Sequence, residues 1–459
     1  MTRIAADTLI TGACLVTMDA TRRILADGAL AMAGDRIVAV GPSAEVEAVV
    51  TARTRIDARG KLVTPGLVNG HVHLTETLIR GFIPEDLDFA EGLFGWVIPL
   101  YEAHSAEEQA LAAQLAVVAM LTSGTTTFIE GGTLLEPDAV WDAIAPMGIR
   151  GRMGRWIMDR AFDPAADQGA LTDKAIATIA ADLDRHAGNE GLLRAWPLLV
   201  GHSTNTPELW QAASAMARER GLGLAAHMSP DPADPEFYRA TYGCSPVEWL
   251  DRIGVLGDHL SLVHMVHVDR DELDALARTG TNVVFCPGAA MRGGYGAGPC
   301  GLHAEMVAGG VNLLLGTDGG DRHDMWQQGM MMAGLLRDAR RSPALITAEQ
   351  VLEMLTLGGT RAAGLGGQVG ALAVGYQADV VLIDTDRPEM VPLWHPPRHL
   401  VWSGDGRMVD SVWVAGRQVV GGGRCLTIDQ DRLFAQARAM APGIVERVGL
   451  PLKSPWPMS

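Results

Sequence analysis

Eight short apolar segments alternate with helical stretches through the middle of the chain, and this rhythm leaves few architectures open. The segments are 64–71, 124–130, 150–158, 194–202, 222–228, 260–266, 282–287 and 312–318. One intervening stretch, SAEEQALAAQLAVVAMLTSG (105–124), opens with the Ser-x-x-Glu of a capping box. Strand and helix repeated eight times over about 250 residues predict an α/β chain with a (β/α)8 TIM barrel. A doubly wound open sheet would share the rhythm, but a glycine-rich nucleotide loop should then follow its first strand, and none does. The later TDGGD lacks the Gly-Lys-Ser/Thr ending of a phosphate loop.

The flanks read differently. Residues 7–60 alternate in short segments between Gly and Asp turns, which predicts an antiparallel β unit too small to stand alone. Alternation returns after TAEQVLEMLTLGGTRAAGLG (347–366), in VGALAVGYQADVVLID and MVDSVWVAGRQVV. Both termini should therefore pair into one small β-sandwich beside the barrel. The predicted divisions are 1–62 and 367–425 for the sandwich, 63–366 for the barrel, and 426–459 for a helix and Pro-rich tail.

Composition removes several partner classes. With 459 residues, 48% of them hydrophobic, a sizeable core is available. A net charge of −17 without a local basic stripe argues against nucleic acid. The cysteines, Cys14, Cys244, Cys286, Cys300 and Cys425, are odd in number and contain no CxxC pair, so neither a disulfide framework nor a Cys-rich zinc site is expected. No run of about 18 apolar residues and no signal-peptide pattern is present. The expectation is an unprocessed cytoplasmic protein, homo-oligomeric, with a small molecule as its partner and no membrane or nucleic-acid contact.

In a barrel of this kind chemistry sits where the strands end at the C-terminal face. Strand one ends on His71 and His73, strand five on His227, strand six on His264 and strand eight on Asp318. Period-two alternation points His71 and His73 to the same side, so one strand end offers two imidazoles to one ion. Three imidazoles and a carboxylate suit zinc, with iron feasible, and leave a position for water. Asp318 can touch both metal and water, and His264 stands beside them as a catalytic group. A lone strand histidine is more often a packed core residue; it is four of them with an aspartate at the ends of four strands that point to a metal site. His267, His395 and His399 keep the structural reading, and His104, His186 and His259 are expected to be solvated.

The motifs TPGLVNGHVHL, GTTTF (124–128), His227, VHMVHV (263–268), GTDGG (316–320) and GALAVGYQADVVLID (370–384) together resemble the amidohydrolase superfamily. The branch is that of triazine chlorohydrolases and of purine, pyrimidine and S-adenosylhomocysteine-type aminohydrolases. That resemblance implies one metal on His71, His73, His227 and Asp318, with His264 as the catalytic histidine. Other members hold two metals bridged by a carboxylated lysine ending strand four. Here RAWPLLVGHS ends on His202, and Lys61, Lys174 and Lys453 all lie away from a barrel mouth, so a mononuclear site is expected. The cytidine-deaminase fold is excluded by its missing H-x-E and P-C-x-x-C signature.

The chain leaves the family's pattern after strand five. Ring deaminases of this branch usually carry a glutamate three residues after His227, to protonate the ring, whereas this chain has Pro230. Asp231 and Asp234 are the candidate substitute acids. Glu76, Trp96 and His202 are candidate substrate contacts, Arg80 a support of the first loop, and the Met-rich GMMMAGLL (329–336) core packing. The leading expectation is hydrolysis of a non-peptide carbon–nitrogen bond in a small nitrogen-rich compound. A different leaving group (chloride, or that of a urea, carbamate or thiocarbamate) is the alternative, and a non-catalytic binding protein on a degenerate barrel is the alternative from another class.

Overall fold

The computed structural model describes residues 3–187, 191–319 and 321–456. All eight apolar segments contain strands, and each hydrogen-bonded pair among them is parallel. In order they are Leu67–Val72, Thr125–Glu130, Arg150–Met153 with Trp156–Ile157, Leu193–Ala195 with Leu198–Gly201, Leu224–Met228, Leu260–His264, Asn282–Phe285 and Leu313–Leu315. The third and fourth are each interrupted, the fourth at Pro197, which has no N–H for the ladder. The interruptions divide the ladder into a four-stranded and a six-stranded sheet. A parallel bridge between Val72 and Asp318 brings the last strand's end beside the first. Both faces of these strands are covered: every residue of Leu67–Val72, Thr125–Glu130 and Leu260–His264 is buried.

The terminal regions meet in a single nine-stranded sheet. Its seam pairs Lys61–Pro65 antiparallel with Val380–Asp384, so residues 63–65 belong to this sheet and the change to the parallel strands falls at Gly66. Val50–Asp57 runs parallel to Ile4–Val16, not antiparallel as the alternation suggested, because the helix Ser43–Val49 carries the chain back across the sheet. Ile10, Leu30, Val63, Val380 and Trp413 pack as part of its core. A bidentate pair, Arg150 Nε and Nη2 on the Asp379 carboxylate at 2.9 Å, ties the third parallel strand to the terminal sheet. Both partners are buried, and removing one of such a pair costs about 3–5 kcal/mol by leaving the other charge unpaired.

The predicted capping box forms: Ser105 Oγ accepts from Glu108 N, and the helix Ala106–Thr122 follows. The C-terminal helix Gln430–Val448 packs on it, with Arg447 donating to Glu108. Among the described residues no helix is long and apolar enough to cross a membrane.

Candidate active site

The strand ends converge as the pattern requires. His71 Nε2 lies 3.2 Å from His73 Nε2 and 3.1 Å from His227 Nε2, and Asp318 Oδ1 lies 3.3 Å from the first and 3.0 Å from the second. All four residues are buried. Three imidazole nitrogens facing one another cannot be satisfied by mutual hydrogen bonds, but donor atoms gathered this closely fit around one ion with bonds of about 2.0–2.2 Å. The donor set therefore fits one divalent ion. His227 is held in register by its Nδ1, 2.9 Å from Val200 O. Gly131 makes the close packing possible, since a Cβ there would collide with the rings of His71 and His73.

The backbone is strained where these side chains leave the strands. His202 (φ 52°), Ser229 (53°), His264 (77°), Met265 (52°) and Asp318 (63°) all occupy the left-handed region. Each such non-glycine residue costs of order 1–3 kcal/mol, and clusters of them mark sites where surrounding structure enforces a functional geometry.

Electrostatics follow from burial and from the crowd of donors. Burial lowers His71, and lowers His227 well below its ordinary value, with the neighbouring histidines adding to the effect on both. Burial also holds His264 down at about 3, leaving it neutral near pH 7. Burial opposes protonation of His73 too, but its hydrogen bond to Asp318 and the charges of Glu76, Asp318 and Glu130 raise it to about 9. Burial would raise Asp318, yet hydrogen bonds from His71 and His73 hold it well below the carboxylate range. His264 stacks on His227 at 5.6 Å between ring centroids and shares a donor cluster with Cys286 and Asp318. His303 Nε2, 2.8 Å from His264 O, braces the strained segment.

A cavity of about 310 Å³ opens over these residues, with His73, His202, His227, His264 and Asp318 at its floor. Its wall is aromatic and aliphatic: Tyr101, Trp156, Phe89 and Tyr295, with Ile83, Leu87, Leu93, Val97 and Met331. Tyr101 and Trp156 stand 5.9 Å apart, and Tyr295 lies 5.7 Å from His264.

Of the other candidates, Glu76 and His202 line the cavity. Trp96 does not: it packs on Phe82 at 5.9 Å with Lys453 Nζ 5.2 Å above its ring, a structural position behind the wall. Asp234 does not line the cavity, and its Oδ2 is taken by His202 Nδ1 and Ser229 N, both at 2.7 Å. Asp231 caps Ala233 N at 2.9 Å and does not line the cavity either. Neither aspartate is placed to protonate a bound ring. His104 is buried, with Nδ1 2.6 Å from Leu100 O, His186 stacks on Trp141 at 4.0 Å, and His259 pairs with Ser214 at 2.9 Å; each has an apolar or hydrogen-bonding neighbour that displaces water. Met331 lines the cavity while Met332 is core, so the Met-rich helix serves both.

Sequence reasoning passed over Glu130, which ends the second parallel strand as the histidines end theirs. Burial raises it to about 7, against the hydrogen bonds it accepts from Gly132, Thr133 and Leu74 that tie the turns after strands one and two together. It also passed over Tyr101, Trp156 and Tyr295. Trp156 lay inside a strand already recognised, and its place at that strand's end was the available signal.

A metal-fitting floor of strand-end histidines and aspartate under an apolar cavity defines a hydrolase site of the metal-assisted class. The sequence profile of the amidohydrolase family matches residues 62–419, and the chain belongs to that family. It is 32% identical to a 5-methylthioadenosine/S-adenosylhomocysteine deaminase of Syntrophobacter fumaroxidans over 95% of this chain and 98% of the relative. The identity to a protein of the same name in Desulforudis audaxviator is 33%, over 92% and 96%. Among solved structures, a zinc-bound adenosine deaminase from Xanthomonas campestris superposes with a TM-score of 0.88 at 27% identity, covering 97% of this chain and 99% of that one. A zinc complex of atrazine chlorohydrolase from Arthrobacter aurescens gives 0.85 at 25%, covering 95% and 100%.

Proposed function

We propose that this chain is a metal-dependent aminohydrolase that removes an exocyclic amino group from a small, flat nitrogen heterocycle. The observation that carries the reading is the buried four-donor set in which His71 Nε2 lies 3.1–3.3 Å from the other three donor atoms, open to an aromatic-walled cavity. His71, His73, His227 and Asp318 would hold one divalent ion, with zinc favoured by the donor types and by its presence in the two structural neighbours. When bound, the ion supplies Lewis acidity and brings the pKa of water toward neutrality.

The chain's own residues do the rest. Asp318 takes the proton of the attacking water and is placed to pass it to the leaving nitrogen. His264, neutral and beside Asp318, is placed to hydrogen-bond the attacking oxygen and orient it on the ring carbon, while charge builds on the adjacent ring nitrogen as that carbon becomes tetrahedral. The rings of Trp156, Tyr101 and Tyr295 orient a planar substrate and exclude bulk water, while His202, fixed by Asp234, presents its other edge. The relatives' names favour a purine-type ring. Cleavage of a better leaving group is the second reading, and Pro230 together with the engaged Asp234 favours it, because no carboxylic acid stands where ring protonation is usual.

The same reading includes closure of the eight parallel strands into a (β/α)8 barrel over 66–366, supported by the Val72–Asp318 bridge, with the terminal sheet (3–65 and 367–425) folded as a sandwich and 426–456 as an appended helix and tail. Its cellular setting is the cytoplasm, supported by free cysteines, and it is read as a homo-oligomer. The test is turnover by purified, zinc-loaded protein on aminopurines, their nucleosides, pterins and amino- or chlorotriazines. Release of ammonia or chloride from any of them supports the reading, and inactivity on all with the metal in place contradicts it.

A further inference from the structure

The metal-fitting donors come from both sides of a seam that has almost no ladder. His71 ends strand Leu67–Val72 with His73 just beyond it, at the edge of the four-stranded parallel sheet, and Asp318 follows strand Leu313–Leu315, at the edge of the six-stranded one. Among the described residues one isolated bridge, Val72 with Asp318, pairs these two edges. Other groups must fix how far Asp318 stands from the two histidines. Some are backbone: Thr317 N and Asp318 N both donate to His71 O at 2.9 Å, and His73 N donates to Asp318 O at 3.2 Å. Glycines allow the approach, since a Cβ on Gly70 would collide with Leu314 and Leu315, and one on Gly316 with His71.

One side chain completes the seam. Asn69 is fully buried and, by the period of two, lies on the same side of its strand as His71, one step deeper. Its Oδ1 accepts from Thr317 N at 3.1 Å and from His71 N at 3.3 Å. Its Nδ2 donates to Thr317 Oγ1 at 2.8 Å, with Met120 Sδ 3.9 Å away. Two backbone N–H groups at one end of the carboxamide and a hydroxyl at the other settle which end is oxygen. Asn69 thus grips Thr317 by backbone and side chain at once while holding the N–H of His71. Thr317 Oγ1 has His323 Nδ1 on its other side at 3.4 Å. Asp318, the next residue, sits at φ 63°, a conformation that a non-glycine residue keeps only where its surroundings over-determine it.

We propose that Asn69 is a positioning residue for the metal site: through Thr317 it sets where Asp318 stands relative to His71 and His73, and so how tightly the four donors hold their ion. It touches neither the ion nor the substrate. The proposal rests on the reading of the four donors as one metal site and is independent of which compound the cavity takes, so zinc itself is the probe. Partners behind metal ligands typically change affinity about 10–100-fold when they are removed.

Zinc affinity of the metal-stripped full chain, read by competition with a chromophoric chelator, should fall at least about tenfold in Asn69→Ala. A smaller fall overturns the proposal. Cobalt(II), whose visible absorption reports the geometry of its ligands, should give bands of altered position or intensity in the variant, and an unaltered spectrum contradicts a displaced Asp318. Trp96→Leu is the control for general loss of packing, because it removes a buried side chain away from the seam. It should keep zinc affinity within about threefold of wild type, and a loss as large as that of Asn69→Ala would reduce the effect to stability and overturn the proposal. Should Asn69→Ala fail to fold, Thr317→Val takes its place, since it keeps the shape and removes only the hydroxyl that Asn69 grips. Its zinc affinity should fall at least about threefold, and a smaller fall overturns the proposal. A wild-type chain without a tight zinc equivalent would overturn the metal reading and this proposal with it. Zinc weakened as expected, with no compound turned over by wild type, would leave the proposal standing and remove the aminohydrolase reading instead.

Discussion

The floor and the wall of the cavity are built from different parts of the chain. The floor comes from the ends of hydrogen-bonded strands, with residues in strained left-handed conformations and His71 Nε2 held 3.1–3.3 Å from the other three donor atoms. The wall comes largely from connecting segments: the turn and helix around 83–101, Trp156 at an interruption in the third strand, and Tyr295 after a short helix. Geometry enforced by a ladder fixes what reaction can occur. Side chains on connections fix what fits, and they can differ between relatives without disturbing the ladder. Hence a deaminase and a chlorohydrolase both superpose on this chain across nearly its whole length.

That division can be broken by substitution. Asp318→Asn, on the floor, should lower kcat by about 10²–10⁴-fold with little change in KM, because the amide keeps the shape and loses the proton acceptor. Steady-state kinetics alongside metal analysis checks this, and a rate near wild type would assign the proton to another group. One layer behind, Asp234→Asn should cost about 10–100-fold in kcat/KM by releasing His202 and Ser229 N, as loss of a supporting hydrogen bond does in metal sites. Asp231→Asn should stay within about twofold, since its bond is a loop cap. The reverse order of these two effects would restore Asp231 as the missing acid.

On the wall, Trp156→Leu should raise KM about tenfold while kcat changes less than about threefold, the pattern of lost uniform binding. Trp96→Leu should leave KM alone and lower stability by about 2 kcal/mol, since it lies behind the wall as packing. If Trp96→Leu changes KM instead, the boundary between wall and support is misplaced.

The last expected effect is on stability alone and lies outside the cavity. Burial depresses His259 and His303 to about 4 and His323 to about 3, whereas an unfolded chain titrates its histidines near 6.5. Above about pH 6.5 both states are neutral at these positions and the stability is fully present. Between about 6.5 and 4 the unfolded state takes up protons that the folded state refuses, so stability falls, by up to about 1.4 kcal/mol per pH unit for each group. Denaturant unfolding followed from pH 8 to pH 4.5 reads this directly. Stability that stays flat to pH 4.5 would mean these imidazoles are not buried neutral.

The same division explains what the sequence disclosed. His71 and His73 declared themselves because period two places them on one side, and His227, His264 and Asp318 because each ends an apolar run. The fate of Asp234 was hidden, since whether a carboxylate faces a cavity or a neighbouring histidine depends on a loop turn that no periodicity encodes. Trp96 and Trp156 look alike in sequence, and only tertiary packing separates a tryptophan under Lys453 from one on the cavity wall. Val50–Asp57 alternates as any edge strand would, and its parallel pairing follows from the preceding helix rather than from its own residues.

The central claim is that one ion, held by His71, His73, His227 and Asp318, is both sufficient and required. Titrating metal-stripped full-length protein with zinc while recording bound metal and turnover tests it most directly. Activity should rise in proportion to the first equivalent and reach its plateau at one per chain, and His71→Ala should hold no tight equivalent. A plateau reached only at two equivalents, or turnover by the metal-free protein, would contradict the account.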